Sequence, residues 1–283
     1  MEVLRPTALA DALAARAVHP EALAIAGGTD VMVELNFDKA RPPAILDLTA
    51  VPELRHVDRG DGAVRIGAGV PFTRVIEELG DALPALVQAS RTIGSPQIRN
   101  RGTIGGNLGT ASPAGDALPP LLAAGADVEV GSTRGTRAIP ARDFFLGPGR
   151  SVLEPDELVV AVSVPVAGRR EQFAKIGTRN AMVIAVCSFA LRIDPERRRV
   201  GTGIGSAGPT PLRAAEAEEF LAQLLDERDA WHADQPIDEA ARRRFGELVA
   251  SAARPIDDHR GTAAYRRHAL GVLAARSLAW ACG

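Results

Sequence analysis

The sequence predicts a mixed α+β fold in two parts, and three features of its pattern predict it. Up to about residue 170, short apolar or alternating runs broken by glycine and proline read as strands, and runs of helical period separate them. Beyond that point one long apolar run is followed by three helical patterns. The length, 283 residues, is enough for two modest domains that each bury a substantial core.

Taken in order, the first element is a helix over about residues 7–17, with Thr7 after Pro6 as its N-cap. "ALAIA" (22–26), "AILDL" (44–48) and "GAVRIGAGV" (62–70) follow as strands, and "TRVIEEL" (73–79) and "ALPALVQASRTI" (82–93) read as helices. "DELVVAVSVPV" (156–166) is another strand, and the charge-rich turn in "GRREQFAKIGTRN" (168–180) opens the second part, with the boundary near residue 170. A buried apolar strand over 181–193 comes next. The turn "PERRR" (195–199), the loop "GIGSAGPTP" (203–211) and helices at about 211–225, 237–252 and 261–281 complete the chain. In the last helix Ala269, Val272 and Leu273 share a face, which leaves Arg266, Arg267 and Arg276 to the solvated side.

Composition removes several function classes. A net charge of -2 with 46% hydrophobic and 24% charged residues argues against disorder and against a strong attraction to nucleic acid. The N-terminal stretch contains acids and a proline, and no run of about 18 apolar residues occurs. A cytoplasmic protein with no membrane partner is therefore expected. The two cysteines, Cys187 and Cys282, cannot build a four-cysteine cluster site, and the five histidines lack metal-ligand spacing. No metal is assigned to the chain. Ser112 has no nucleophile-elbow setting, so it carries no hydrolase reading, and no catalytic residue is assigned.

Two glycine pairs raise a more specific possibility. In "AIAGGTDVMVEL" (24–35), Gly27 and Gly28 free the backbone to take positive φ and to present N–H groups to phosphate oxygens, while Thr29 adds a hydroxyl. Such a pair equally marks a plain strand-to-helix turn. A second stretch, "RGTIGGNLGTASPAGD" (101–116), sets Gly105 and Gly106 between Thr103 and Asn107, followed by Ser112 and Asp116, side chains suited to sugar or polyol hydroxyls. Asp116 also stands where it could cap the helix "ALPPLLAAG" (117–125). Competing nucleotide motifs fit poorly. No Gly-Lys dipeptide exists for a P-loop, and in "GTGIGSAG" (201–208) Ser206 occupies the third glycine position, so that stretch reads as a structural loop.

Together the two glycine stretches resemble the flavin-binding loops of the FAD (medium) subunit of the molybdenum hydroxylases, the family of xanthine, carbon monoxide and nicotinate dehydrogenases. The resemblance extends through "DFFLGPGRSVLEPDELVVAVSVP" (143–165), "GPTPLRAAEAE" (208–218) and "DDHRGTAAYRRHALGVL" (257–273). It implies a vanillyl-alcohol-oxidase (PCMH) type FAD-binding domain over 1–170, with subdomains at about 1–55 and 56–170. A smaller α+β C-terminal domain of the CO dehydrogenase flavoprotein type would occupy 171–283.

The resemblance also implies a site. Ala24, Ile25, Ala26, Gly27, Gly28, Thr29, Asp30 and Val31 would wrap the FAD diphosphate, with Thr103, Gly105, Gly106 and Asn107 as the second loop. Asp116 would bind FAD hydroxyls, Leu158 would touch the flavin, and Lys175 would lie close to the isoalloxazine. Ile93 falls where some relatives carry an aromatic. Lys175 is conspicuous, since only it and Lys39 are lysines among 33 basic residues. In the family, 2Fe–2S clusters of a small subunit and a molybdopterin cofactor of a large subunit precede the FAD, and NAD is a candidate acceptor. A stand-alone FAD oxidase or dehydrogenase that binds its own substrate is the alternative reading; no obvious substrate cap is present for it.

Overall fold

The computed structural model describes residues 1–60, 62–167, 170–233 and 235–282. The turn expected at Gly168 and Arg169 lies outside them. Among the described residues three larger sheets and one two-stranded hairpin organise the chain. The first is small and parallel, with β1 (Glu2–Leu4), β2 (Leu23–Ile25) and β3 (Ala44–Asp47) in the order β1-β3-β2. Helix α1 (Leu9–Val18) starts two residues later than the sequence suggests. Thr7 does not cap it; the Glu53 carboxylate accepts the Leu9 N–H at 3.0 Å instead. Helix α2 (Val31–Asn36) leaves the end of β2 and buries none of its side chains.

The second sheet is antiparallel. Strands β4 (Val57–Gly60), β5 (Ala63–Gly67), β6 (Asp127–Ser132) and β7 (Gly135–Pro140) flank a central strand that follows the short hairpin β8 (Phe145–Gly147) and β9 (Arg150–Ser151). That central strand, β10 (Leu158–Pro165), pairs with β5 on one side and β6 on the other. Covered on both faces, it reads as a nearly unbroken apolar run, which is why its sequence signal is strong. Between β5 and β6 the chain makes five helices: α3 (Phe72–Glu78), α4 (Pro84–Thr92), α5 (Pro96–Arg101), α6 (Ile104–Thr110) and α7 (Leu118–Ala124). A single turn, α8 (Ala141–Phe144), precedes the hairpin.

The third sheet contains β11 (Glu171–Ile176), β12 (Cys187–Asp194) and β13 (Arg199–Gly205), antiparallel in that order. The strand expected from residue 181 begins at Cys187. Alternate side chains of β12 face opposite ways: Cys187, Phe189, Leu191 and Ile193 join one core with α9 (Ala215–Glu227), α10 (Glu239–Ala252) and α11 (Ala263–Cys282). Ala190 turns the other way, into a small cluster with Ala85 and Ala89 of α4, Ala123 of α7 and Phe173 of β11. The third sheet is therefore packed on both faces, and a separate large core fills the first two sheets.

The stretch 201–208 is not a loop at its start; Gly201, Gly203 and Gly205 lie on β13. Their α-carbons face α7 so closely that a Cβ on Gly203 would sit 2.6 Å from the Pro119 carbonyl carbon. Missing side chains let the α7 backbone rest on the strand. Arg266 also departs from expectation. It is buried, donates to the Val186 carbonyl at 2.7 Å and to Asp258 Oδ1 at 2.6 Å, and so anchors the start of α11 to the lead-in of β12. The Arg260 backbone N–H and the Arg266 guanidinium hold the Asp258 carboxyl down at about 2.

One buried acid joins the third sheet to α4. Glu171 accepts the Ala85 N–H at 3.3 Å and faces Arg192 at 3.3 Å, with Asp194 nearby. Burial pushes its carboxyl up to about 7, against the pull of Arg192.

Two outcomes are expected. Gly203→Val should destabilise the chain by about 1–3 kcal/mol or more in urea denaturation, because α7 must lift off β13. Glu171 has a folded value above its unfolded one, so its contribution is complete below about pH 4.5 and is lost as pH rises through about 7. Stability should fall by on the order of 1–3 kcal/mol across that window, and Glu171→Gln should flatten the fall.

Candidate functional site

Between the first and second sheets lies a cleft of about 870 Å³, within the ~300–1,000 Å³ of small-molecule and cofactor sites. Its first wall is the turn from β2 into α2. Gly27 meets the chain at the end of α5: a Cβ there would lie 2.6 Å from the Arg101 carbonyl carbon and 2.8 Å from Gly102 Cα. Gly28 takes φ +76°, which strains any residue with a side chain. The result is a turn whose N–H groups are left unpaired. Those of Gly28, Thr29, Asp30 and Val31 meet no acceptor among the described residues. Ala24, Ala26 and these residues line the cleft. Ile25 does not; its side chain packs beneath Gly28, 3.4 Å from where a Cβ would stand.

The second glycine stretch is a helix rather than a loop. Thr103 caps α6, its hydroxyl accepting the Gly106 N–H at 3.0 Å. The Ile104 and Gly105 N–H groups go to the Val70 and Ala68 carbonyls, and that of Asn107 to the Thr103 carbonyl. This segment therefore has no spare backbone N–H groups over 104–107 for a ligand. It supplies shape: Thr103, Gly105, Gly106, Asn107 and Gly109 form a wall with little side chain on it. The two walls are tied by the Thr110 hydroxyl, which donates to Asp30 Oδ2 at 2.9 Å.

Asp116 lines the far part of the cleft and does not cap α7, whose cap position is Ala117. One of its oxygens, Oδ2, receives the Lys175 ammonium at 2.5 Å and the Thr92 hydroxyl at 3.2 Å. The other, Oδ1, is buried and partnerless, as is Asn107 Oδ1. Burial pushes the Asp116 carboxyl up, and Lys175 is the strongest influence pulling it down. Lys175 itself does not line the cleft. Its side chain is 7% exposed and also donates to the Thr92 carbonyl at 3.2 Å. Ile93 and Leu158 do line it.

Several wall residues escape the sequence reading. Met182, Val183 and Ile184 come from the segment expected as strand, where Met182 has φ +52° and departs from any strand pattern. Arg16, at the end of α1, donates to the Ala22 carbonyl at 2.6 Å and keeps Nε partnerless. Nothing in its local pattern distinguishes it from other surface arginines. Ser112, which the sequence does offer for a sugar or polyol hydroxyl, lines the cleft as well, its hydroxyl accepting the Ala114 N–H at 3.3 Å.

This combination suits a dinucleotide. Free N–H groups at the first turn match a diphosphate's acceptor oxygens, and orphaned oxygens at Asp116 and Asn107 match hydroxyl donors. A recess of about 40 Å³ that shares Ala26, Gly27 and Thr103 has room for little beyond water.

Comparison with known proteins agrees with that chemistry. Residues 1–167 match the FAD binding domain in molybdopterin dehydrogenase, and residues 172–281 match the CO dehydrogenase flavoprotein C-terminal domain. A xanthine dehydrogenase FAD-binding subunit of Escherichia coli O157:H7 is 37% identical over 224 residues, covering 76% of this chain and 77% of its own. The nicotinate dehydrogenase FAD-subunit of Eubacterium barkeri is 34% identical, covering 75% and 76%. Among solved structures, carbon monoxide dehydrogenase from Hydrogenophaga pseudoflava includes a chain that superposes with a TM-score of 0.89 at 26% identity, covering 100% of this chain and 98% of that one. With family matches over both parts and relatives of this identity and coverage, the chain belongs to the FAD-binding subunits of the molybdenum hydroxylases.

Proposed function

We propose that the chain carries FAD noncovalently in the cleft and serves as the electron-transfer subunit of a molybdenum hydroxylase. Electrons would come from 2Fe–2S clusters of a small partner subunit, downstream of a large molybdopterin subunit, and leave to NAD or another acceptor. The observation that carries the reading is the arrangement of unmet polar groups: free donors at the first turn and free acceptors at Asp116 and Asn107, along one cleft.

Bound flavin would supply the redox chemistry, and the protein binding, orientation and electrostatics. The N–H groups of Gly28 to Val31 would hold the diphosphate, each charge-assisted bond contributing roughly 1.5–3 kcal/mol. Asp116 and Asn107 would accept from the polyol or ribose hydroxyls. Ile93, Leu158, Val183 and Ile184 give the cleft apolar lining that excludes water. Cys187 and Cys282 are both buried, and among the described residues no group of three or more His, Cys, Asp or Glu side chains could hold a metal ion. The reading assigns the 2Fe–2S clusters to a partner subunit. No helix among the described residues is long and apolar enough to cross a membrane, and a cytoplasmic complex fits the reading.

Gly109 offers a clean test, since a Cβ there meets nothing within 4 Å and the residue lines the cleft. Gly109→Leu should weaken FAD binding at least about tenfold, by filling ligand space, while urea denaturation shifts by less than about 1 kcal/mol. Unchanged affinity in a fluorescence titration would move FAD out of this cleft. In the native source the chain should co-purify with an iron–sulfur and a molybdopterin subunit. A metal-free homo-oligomer whose flavin is reduced directly by an organic substrate would favour the stand-alone oxidase.

A further inference from the structure

Helix α11 is 20 residues long and contains no acid. Its inner face is fixed by Ala269, Leu270, Leu273, Ala274 and Leu278, which belong to the core shared with β12 and α10. Away from that core, Tyr265, His268, Val272, Arg276 and Trp280 follow one another at helical spacing. They share one stripe, roughly 22 Å long at about 1.5 Å rise per residue. The chain has one tyrosine and two tryptophans; Trp231 is buried, and the other two of these aromatics stand here, Tyr265 48% and Trp280 55% exposed. Arg267 and Arg276, both exposed, have no side-chain partner among the described residues. In a chain with 35 acids against 33 lysines and arginines, unpaired arginines on an acid-free helix are a local excess of positive charge. The stripe starts beside the cleft. A Cβ on Gly261 would stand 3.1 Å from Val186 Cγ1 and 3.8 Å from Tyr265 Cδ1, and just before Val186 lie Met182 and Ile184, exposed side chains of the cleft wall.

We propose that this stripe of α11, continuous with Met182 and Ile184 at the cleft wall, docks an acidic face of the iron–sulfur subunit. The proposal rests on the reading of the chain as a subunit of a molybdenum hydroxylase. Tryptophan, tyrosine and arginine are the side chains that carry most binding energy at protein interfaces, and Val272 supplies apolar surface between them. The unpaired guanidiniums call for carboxylates, which would steer the partner as well as fix its register. Of the two partners expected, the one that passes electrons to a ligand in the cleft must lie at its mouth, and the stripe leads there. A second copy of the chain suits the stripe poorly, because a twofold contact sets Arg276 against the same acid-free helix. A membrane suits it no better. Lipid attraction is built from about four to eight clustered basic residues, and α11 exposes only Arg267 and Arg276 among its arginines.

The test uses the native complex, purified through a tag on this chain, and the full chain alone. Hydroxyl-radical oxidation of Tyr265 and Trp280, read by mass spectrometry, should be severalfold slower in the complex than in the free chain, because docking removes both rings from solvent. Binding of the iron–sulfur subunit should weaken at least about thirtyfold in Trp280→Ala and at least about tenfold in Arg276→Glu. Raising salt from about 0.05 to 0.5 M should weaken the unsubstituted pair more than the Arg276→Glu pair. FAD affinity and urea denaturation should match the unsubstituted chain in both variants, which separates lost docking from lost folding. If Trp280→Ala does not fold, the oxidation rates and Arg276→Glu still decide. Equal oxidation in complex and free chain, or unsubstituted affinity in both variants, would overturn the docking site and leave the cleft reading intact. Self-association of the free chain that Trp280→Ala abolishes, flotation with phosphatidylserine vesicles that Arg276→Glu abolishes, or loss of the molybdopterin subunit alone would overturn it too, assigning the stripe to a second copy, a lipid surface or the large subunit. A chain that co-purifies with neither subunit would overturn the hydroxylase reading and the docking with it.

Discussion

Backbone meets backbone where Gly27 lies against the carbonyl of Arg101, and the cleft depends on that contact. Any side chain at Gly27 would push the first turn away from the end of α5, and the parallel sheet would separate from the helices that lead into α6. Close approach also explains why the walls carry so few side chains. At Gly109, where a Cβ would meet nothing within 4 Å, the missing side chain leaves the cleft open, and a positive φ at Gly28 completes the opposite turn.

Hydrogen bonding divides the labour between the two walls. Buried or half-buried backbone groups must be satisfied, and α6 satisfies its first turn internally through Thr103 and the carbonyls of Ala68 and Val70. The turn after β2 leaves its N–H groups unmet, at a cost that only a ligand or water can offset. One wall is therefore built to grip and the other to shape. At the opposite part of the cleft the polarity reverses, with acceptors at Asp116 and Asn107 left open.

The third sheet contributes to the site without forming most of it. Its strands are packed on both faces, so polar groups facing α4 must find partners there. Arg192 lies between Glu171 and Asp194, and Lys175 takes Asp116. Arg266 fixes Val186, and the segment just before it lays Met182, Val183 and Ile184 over the cleft. The motif 257–273 is accounted for by that anchor: Asp258 holds the guanidinium that holds the strand lead-in.

Read alone, the sequence determined the type of most elements and the place of both glycine stretches. The central strand β10, buried on two faces, is a nearly unbroken apolar run, and α4 or α10 repeat with helical period; these signals involve neighbours within four residues. It left Asp116 open between a cap and a ligand, placed Arg266 in solvent, began β12 six residues early and read α6 as a loop. Each of these was decided by partners far along the chain. Lys175 reaches Asp116 across 59 positions and Thr92 across 83, and Arg266 reaches Val186 across 80. Local periodicity cannot encode such pairs, because they exist only once sheet register and helix packing bring distant backbones together. Helix α6, poor in helix formers, persists because its cap and its bonds to the chain just past β5 outweigh its glycines.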